Sequence, residues 1–110
     1  MVMKKSNILF LFFISMSFVA LAQYEKPLVR EGNKEYKNGK FDQAESSYRK
    51  AIEKNGSSVE GRYNLGNALY KQNKYDEAAG VYQNLNNEKL STDVKAKSLY
   101  NLGNTLMKSE

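Results

Sequence analysis

Apolar and polar positions follow two different patterns along this chain. From Ile8 to Ala22, "ILFLFFISMSFVALA" carries no charge. Beyond Gln23, apolar residues recur three or four positions apart among charged ones, which is the period of amphipathic helices. In the clearest stretch, Leu65, Ala68 and Leu69 share one helical face, and Ala78, Tyr82 and Leu85 share another. Turn residues interrupt the pattern at Gly39, Asn55-Gly56 and Asn73. Together these signals predict helices over about 27–38, 42–54, 58–72, 76–86 and 93–108. Gly39 and Asn73 are expected to take the left-handed conformation that ends a helix. Pro27 suits a first helical position. Asp42, with Glu45 in a capping box, and Asp76 are expected N-caps, as is Ser57 with Glu60.

The uncharged run has a different reading. Lys4 and Lys5 precede it, and it ends in Ala20-Leu21-Ala22. A charged start, a short apolar core and small residues at its end are the marks of a secretory signal peptide. From Ile8 to Ala22 the run is shorter than the roughly 20 residues a spanning helix needs. The expectation is export to the periplasm with cleavage after Ala22. The alternative is an uncleaved membrane anchor. A lipid anchor would need cysteine at the cleavage point, where Gln23 stands.

The remainder repeats. "GNKEYKNGKFDQAESSY" from Gly32 and "GNALYKQNKYDEAAGVY" from Gly66 align at an offset of 34. Gly-Asn, Tyr-Lys, an aromatic before Asp, Ala44 or Ala78, and Tyr48 or Tyr82 all coincide. A partial third copy begins at "AKSLYNLGNTLMK", with Gly103 lying 37 after Gly66, so residues have been inserted within "NNEKLSTD". The word "YNLGN" stands at 63–67 and again at 100–104.

Period and residue types resemble the tetratricopeptide repeat. The resemblance implies an all-α, right-handed α-solenoid of two full helix-turn-helix repeats plus one further helix. Repeat 1 would span about 25–58, repeat 2 about 59–92 and a partial repeat 3 about 93–110, within a domain from 23 to 110. It also implies a concave groove lined by the first helix of each pair, which binds a protein or peptide. The positions carried over are Asn33, Asn67 and Asn104; Tyr36, Tyr70 and Met107; Lys37 and Lys71; and Tyr63 and Tyr100. An asparagine amide offers a donor and an acceptor to a peptide backbone. Val29 and Tyr63 stand where a carboxylate clamp would use lysine. More narrowly, the signal-like start with "YNLGN" and "GKFDQAE" resembles exported repeat proteins of the Bacteroides aerotolerance operon type. That likeness implies work beside von Willebrand-type membrane proteins in the cell envelope.

Terminal repeats should differ from internal ones. Glu31 and Glu35 replace the equivalents of Leu65 and Leu69, which suggests a solvated first helix. The last helix stays apolar at Leu99, Leu102, Leu106 and Met107, with Thr105, Lys108 and Ser109 as its solvated side. Three readings follow: a closing helix, a piece of a longer array, or self-association through Leu102 and Leu106.

Composition narrows the chemistry. The chain has no cysteine and no histidine, which removes disulfides, thiolates, imidazole bases and the usual zinc ligands. Loss of Lys4 and Lys5 with the signal would lower the net charge from +5 to +3. No basic cluster supports nucleic-acid binding. Gly61 and Gly66 have phosphate-loop spacing, but Asn67 follows where lysine is required. The expectation is a non-catalytic interaction protein without cofactor or metal.

Overall fold

A computed structural model describes residues 25–110. The expected signal peptide and its cleavage after Ala22 lie outside the described residues. Among those described, the chain is all α-helical, and no helix is long and apolar enough to cross a membrane. The helices are α1 (25–37), α2 (Phe41–Lys54), α3 (Val59–Lys71), α4 (Tyr75–Asn86) and α5 (Thr92–Ser109). They lie within a few residues of the ranges predicted. Helix α1 already includes Glu25 and Lys26, so Pro27 falls after its described start. Proline is tolerated there, because the first N–H groups of a helix have no helical acceptor.

Each of α1/α2 and α3/α4 is a pair of antiparallel helices joined by three residues. The two turns are built alike. Gly39 (φ 76°) and Asn73 (φ 63°) take the left-handed conformation. Lys40 N–H donates to the Glu35 carbonyl at 2.9 Å and Gly39 N–H to Tyr36 at 3.0 Å. In the second turn Lys74 donates to Leu69 and Asn73 to Tyr70, each at 3.0 Å. Both are Schellman motifs, which satisfy carbonyls that a helix end leaves open. Tyr75 donates its hydroxyl to Asn73 Oδ1 at 2.7 Å, so the asparagine is anchored in its left-handed state.

This turn corrects the expected caps. Lys40 and Lys74, the last residues of the motifs, are themselves the N-caps of α2 and α4, and neither caps through its side chain. Asp42 and Asp76 therefore sit inside the first turn, where a carboxylate favours the positive helix end. Glu45 forms no capping box. Its carboxylate accepts from Arg49 at 2.9 Å, Gln72 at 2.9 Å and Lys74 at 3.0 Å. Burial opposes ionisation of Glu45, but those donors and the Arg49 charge outweigh it and hold the group below its ordinary range. The cap of α3 is Ser58 rather than Ser57: its hydroxyl accepts from Gly61 N–H at 3.1 Å. Ser57 instead donates its N–H to Asn55 Oδ1. Ser58→Ala is expected to cost about 1 kcal/mol, against less than about 0.5 kcal/mol for Ser57→Ala, as read from urea midpoints.

One apolar cluster runs through both pairs. Val29, Ala44, Tyr48, Ala51, Leu65, Ala68, Leu69, Ala78 and Tyr82 are buried together. Ala44 and Ala78 are small enough for helices to close on them, and Tyr48 and Tyr82 supply the bulk. Helix α5 joins this stack against α4 through Ser98, Leu102 and Thr105, spaced for one helical face. Thr105 is fully buried and donates its hydroxyl to the Asn101 carbonyl at 2.6 Å, which corrects the expectation that it is solvated. The extra residues before α5 are not spent on a loop. Thr92 begins α5 where the second repeat, 37 residues earlier, still has its connection at Asn55. They form an added first turn, capped by the Ser91 hydroxyl and braced by Lys97–Asp93 at 3.1 Å.

The charged start of the stack needs a correction as well. Glu31 is exposed, but Glu35 is half-buried and accepts the Ser47 hydroxyl from α2. It is a helix-to-helix contact rather than a solvated residue.

Candidate binding groove

The first helices of the pairs carry the candidate residues. A cleft of about 690 Å³ opens along α1 and α3, lined by Asn33, Lys34, Tyr36, Lys37, Phe41, Tyr48, Asn64, Asn67 and Lys71. A smaller recess of about 210 Å³ adjoins it, with Asn67, Tyr70, Lys71, Tyr82, Asn101 and Asn104 in its walls. Seven expected positions therefore line these two hollows: Asn33, Tyr36, Lys37, Asn67, Tyr70, Lys71 and Asn104. Tyr63 is partly buried beside them, its ring 6.2 Å from Tyr82 and its hydroxyl accepting from Asn101 at 3.0 Å. Tyr100 (71% exposed) and Met107 (74% exposed) line neither hollow.

Asparagines organise the walls, though not as the sequence suggested. Tyr48 donates its hydroxyl to Asn33 Oδ1 at 2.7 Å, and Asn64 Nδ2 donates to the same oxygen at 3.0 Å. One repeat on, Tyr82 donates to Asn67 Oδ1, and Asn101 Nδ2 donates to it at 3.0 Å. Each Gly-Asn thus seats a tyrosine of its own repeat and an asparagine of the next. The glycine belongs to this arrangement: a Cβ at Gly66 would stand 2.5 Å from Tyr82 Cε1, and the Tyr48 ring crowds Gly32 in the same way. An amide carbonyl has two lone pairs, and both are used. The expectation that Asn33 and Asn67 offer a donor and an acceptor to a ligand is corrected to donors alone.

Asn64 and Asn101 had not been singled out, although each is the second letter of "YNLGN". Their recurrence was the available signal. Tyr48, Tyr82, Phe41 and Lys34 also enter the lining. Aromatic pairs frame it at matching places: Tyr36 and Phe41 meet edge to face at 5.1 Å, and Tyr70 and Tyr75 at 5.4 Å.

The seated phenols resist ionisation. Burial raises Tyr48 well above the ordinary range, helped by the charges of Tyr36, Glu60 and Glu35. Burial does the same for Tyr82, helped by Tyr63. Below pH about 10 both phenols are protonated whether the chain is folded or not, so their contribution to stability is fully present. Above it the unfolded chain ionises first, and that contribution falls as pH rises. Urea midpoints should therefore drop above pH about 10, and drop less in Tyr48→Phe/Tyr82→Phe. An equal drop in that variant would assign the effect to other groups.

Among the described residues no cluster of acidic side chains could hold a metal ion. The model of the tetratricopeptide repeat matches residues 29–85, more than half of the chain. No curated protein matches it. Such repeats generally mediate protein–protein interaction and are typically non-catalytic. Two glycine-seated helix pairs, repeated at an offset of 34, carry that match, and the chain belongs to the tetratricopeptide repeat family.

Proposed function

We propose that this chain is an exported, non-catalytic scaffold that holds a segment of another protein in the cleft along α1 and α3. The observation that supports this reading is the lining itself. Equivalent residues of successive repeats, Asn33 with Asn67 and Lys37 with Lys71, present polar groups to one open hollow beside paired aromatic rings. Export is supported by Lys4, Lys5, the apolar run and Ala20-Leu21-Ala22. A periplasmic place beside von Willebrand-type envelope proteins follows from the likeness to the aerotolerance type. A photo-crosslinker placed at Lys37 or Lys71 should capture an envelope protein, and one at outward-facing Lys50 should not. Equal capture from all three positions would overturn the reading. Amino-terminal sequencing of the periplasmic protein should begin at Gln23.

Self-association is a second reading, favoured by exposure on α5. Leu99 (49%) and Leu106 (44%) stand open with Met107, whereas Leu102 packs against the core. Sedimentation should then show a dimer that Leu106→Lys dissociates.

A further inference from the structure

The cleft carries a one-sided hydrogen-bonding chemistry. Asn33 Oδ1 and Asn67 Oδ1 are filled by Tyr48 with Asn64 and by Tyr82 with Asn101. The Nδ2 groups of Asn33 and Asn67 remain as donors. Lys34, Lys37 and Lys71 add three ammonium groups to the same lining, which contains no Asp or Glu. Glu35 and Glu60, whose charges reach Tyr48, lie outside it.

Outside the cleft, some cations of the described residues are paired and others, such as Lys50 and Lys95, are not. Glu45 takes Arg49 and Lys74, Glu77 takes Arg49, and Glu88 takes Arg62. Among the described residues, no ion pair involves Lys34, Lys37 or Lys71. Donors without acceptors and cations without anions call for a ligand that brings both.

Resting on the groove reading above, we infer that the cleft takes an acidic protein segment in extended form, bound through side-chain carboxylates. The repeat sets their spacing. Lys37 and Lys71 occupy the same position of α1 and α3, helices tied by the Asn64–Asn33 bond. Neighbouring helices stand roughly 10 Å apart. An extended segment in polyproline-II geometry advances about 3.1 Å per residue and returns its side chains to the same face every third residue. Two carboxylates about three residues apart therefore reach both lysines. Backbone carbonyls between them face the Asn33 and Asn67 amide groups, and an apolar residue meets the Tyr36–Phe41 pair. A single chain-terminal carboxylate would answer only one of these cations.

The test is selection of short peptides from a random displayed library on the full chain and on Lys37→Glu/Lys71→Glu, whose two sites are exposed. Acidic sequences of the Glu-x-x-Glu kind should be enriched on the native chain and lost on the variant. A synthetic peptide of that kind should bind about tenfold more tightly than its Gln-x-x-Gln counterpart, by an amount that shrinks as salt rises. Enrichment of neutral or basic peptides would overturn this inference and leave the groove reading standing. Acidic peptides that ignore the variant, or that lose binding on C-terminal amidation but not on Glu→Gln, would overturn it as well. Enrichment of nothing on either chain would overturn both.

Discussion

Tyr82→Ala is expected to remove about 3–5 kcal/mol of folding stability, the usual effect of deleting a fully buried aromatic ring. Domains of this size hold roughly 0.05–0.15 kcal/mol per residue, so the loss approaches the whole. Three consequences of one side chain add up here. The ring is buried against Gly66 and beside Tyr63. It closes the α3/α4 pair together with Ala78 and Leu69. Its hydroxyl occupies Asn67 Oδ1, the atom that also receives Asn101 from α5. Tyr82→Phe separates these effects, since it keeps the ring and leaves Asn67 with one donor; a loss of about 1 kcal/mol is expected. Urea denaturation followed by helical circular dichroism measures both. A loss under about 1 kcal/mol for Tyr82→Ala would show that the ring does not hold the pair together.

Alanine at Gly66 and alanine at Gly103 are expected to act with opposite sign, although both glycines stand in the word "YNLGN". In a helix interior alanine gains about 1 kcal/mol over glycine. At Gly103 nothing lies within 4 Å of the new methyl, so Gly103→Ala should raise stability by up to that amount. At Gly66 the methyl falls 2.5 Å from a ring that is buried and held at its hydroxyl by Asn67. The ring cannot swing aside without breaking that bond. Overpacking of this kind costs about 1–3 kcal/mol and outweighs the helical gain. The two variants should straddle the native urea midpoint. Equal effects at both sites would mean that the tyrosine seat tolerates a side chain.

How far the sequence foretold this molecule depends on what each residue's neighbours are. The helices and their pairing were readable, because period, left-handed turn residues and apolar faces all agree locally. The caps were not. Asp42 and Asp76 have the right chemistry, but the Schellman turns close earlier and hand the capping place to Lys40 and Lys74. Gly39 and Asn73 mark where those turns lie, but the residue one past each, a lysine, carries no capping chemistry to announce its place. The groove positions follow the repeat and so could be named, whereas the direction of each amide could not. Asn33 and Asn67 turn their oxygens onto tyrosines 15 residues away, a contact that spacing alone does not show. On α5 the apolar letters misled: Ser98 and Thr105 are buried, while Leu99 and Leu106 are half-open. Close helix approach favours small side chains; Thr105 satisfies its hydroxyl on the Asn101 carbonyl of its own helix, whereas the buried Ser98 hydroxyl has no hydrogen-bond partner among the described residues.

The bond from Asn101 to Asn67 spans 34 residues, and its counterpart from Asn64 to Asn33 spans 31. The two junctions thus share the same amide contact at different separations along the chain. Alignment of one repeat on the next is set by the amide contact and not by how much polypeptide lies between. The surplus residues have gone into an added first turn of α5 without disturbing that contact. Lengthening a connection costs only about 0.6 kcal/mol per doubling. The short link at 87–91 is therefore the place where a foreign sequence, a fluorescent tag or a cleavage site could be spliced in, with the stack on either side keeping its alignment.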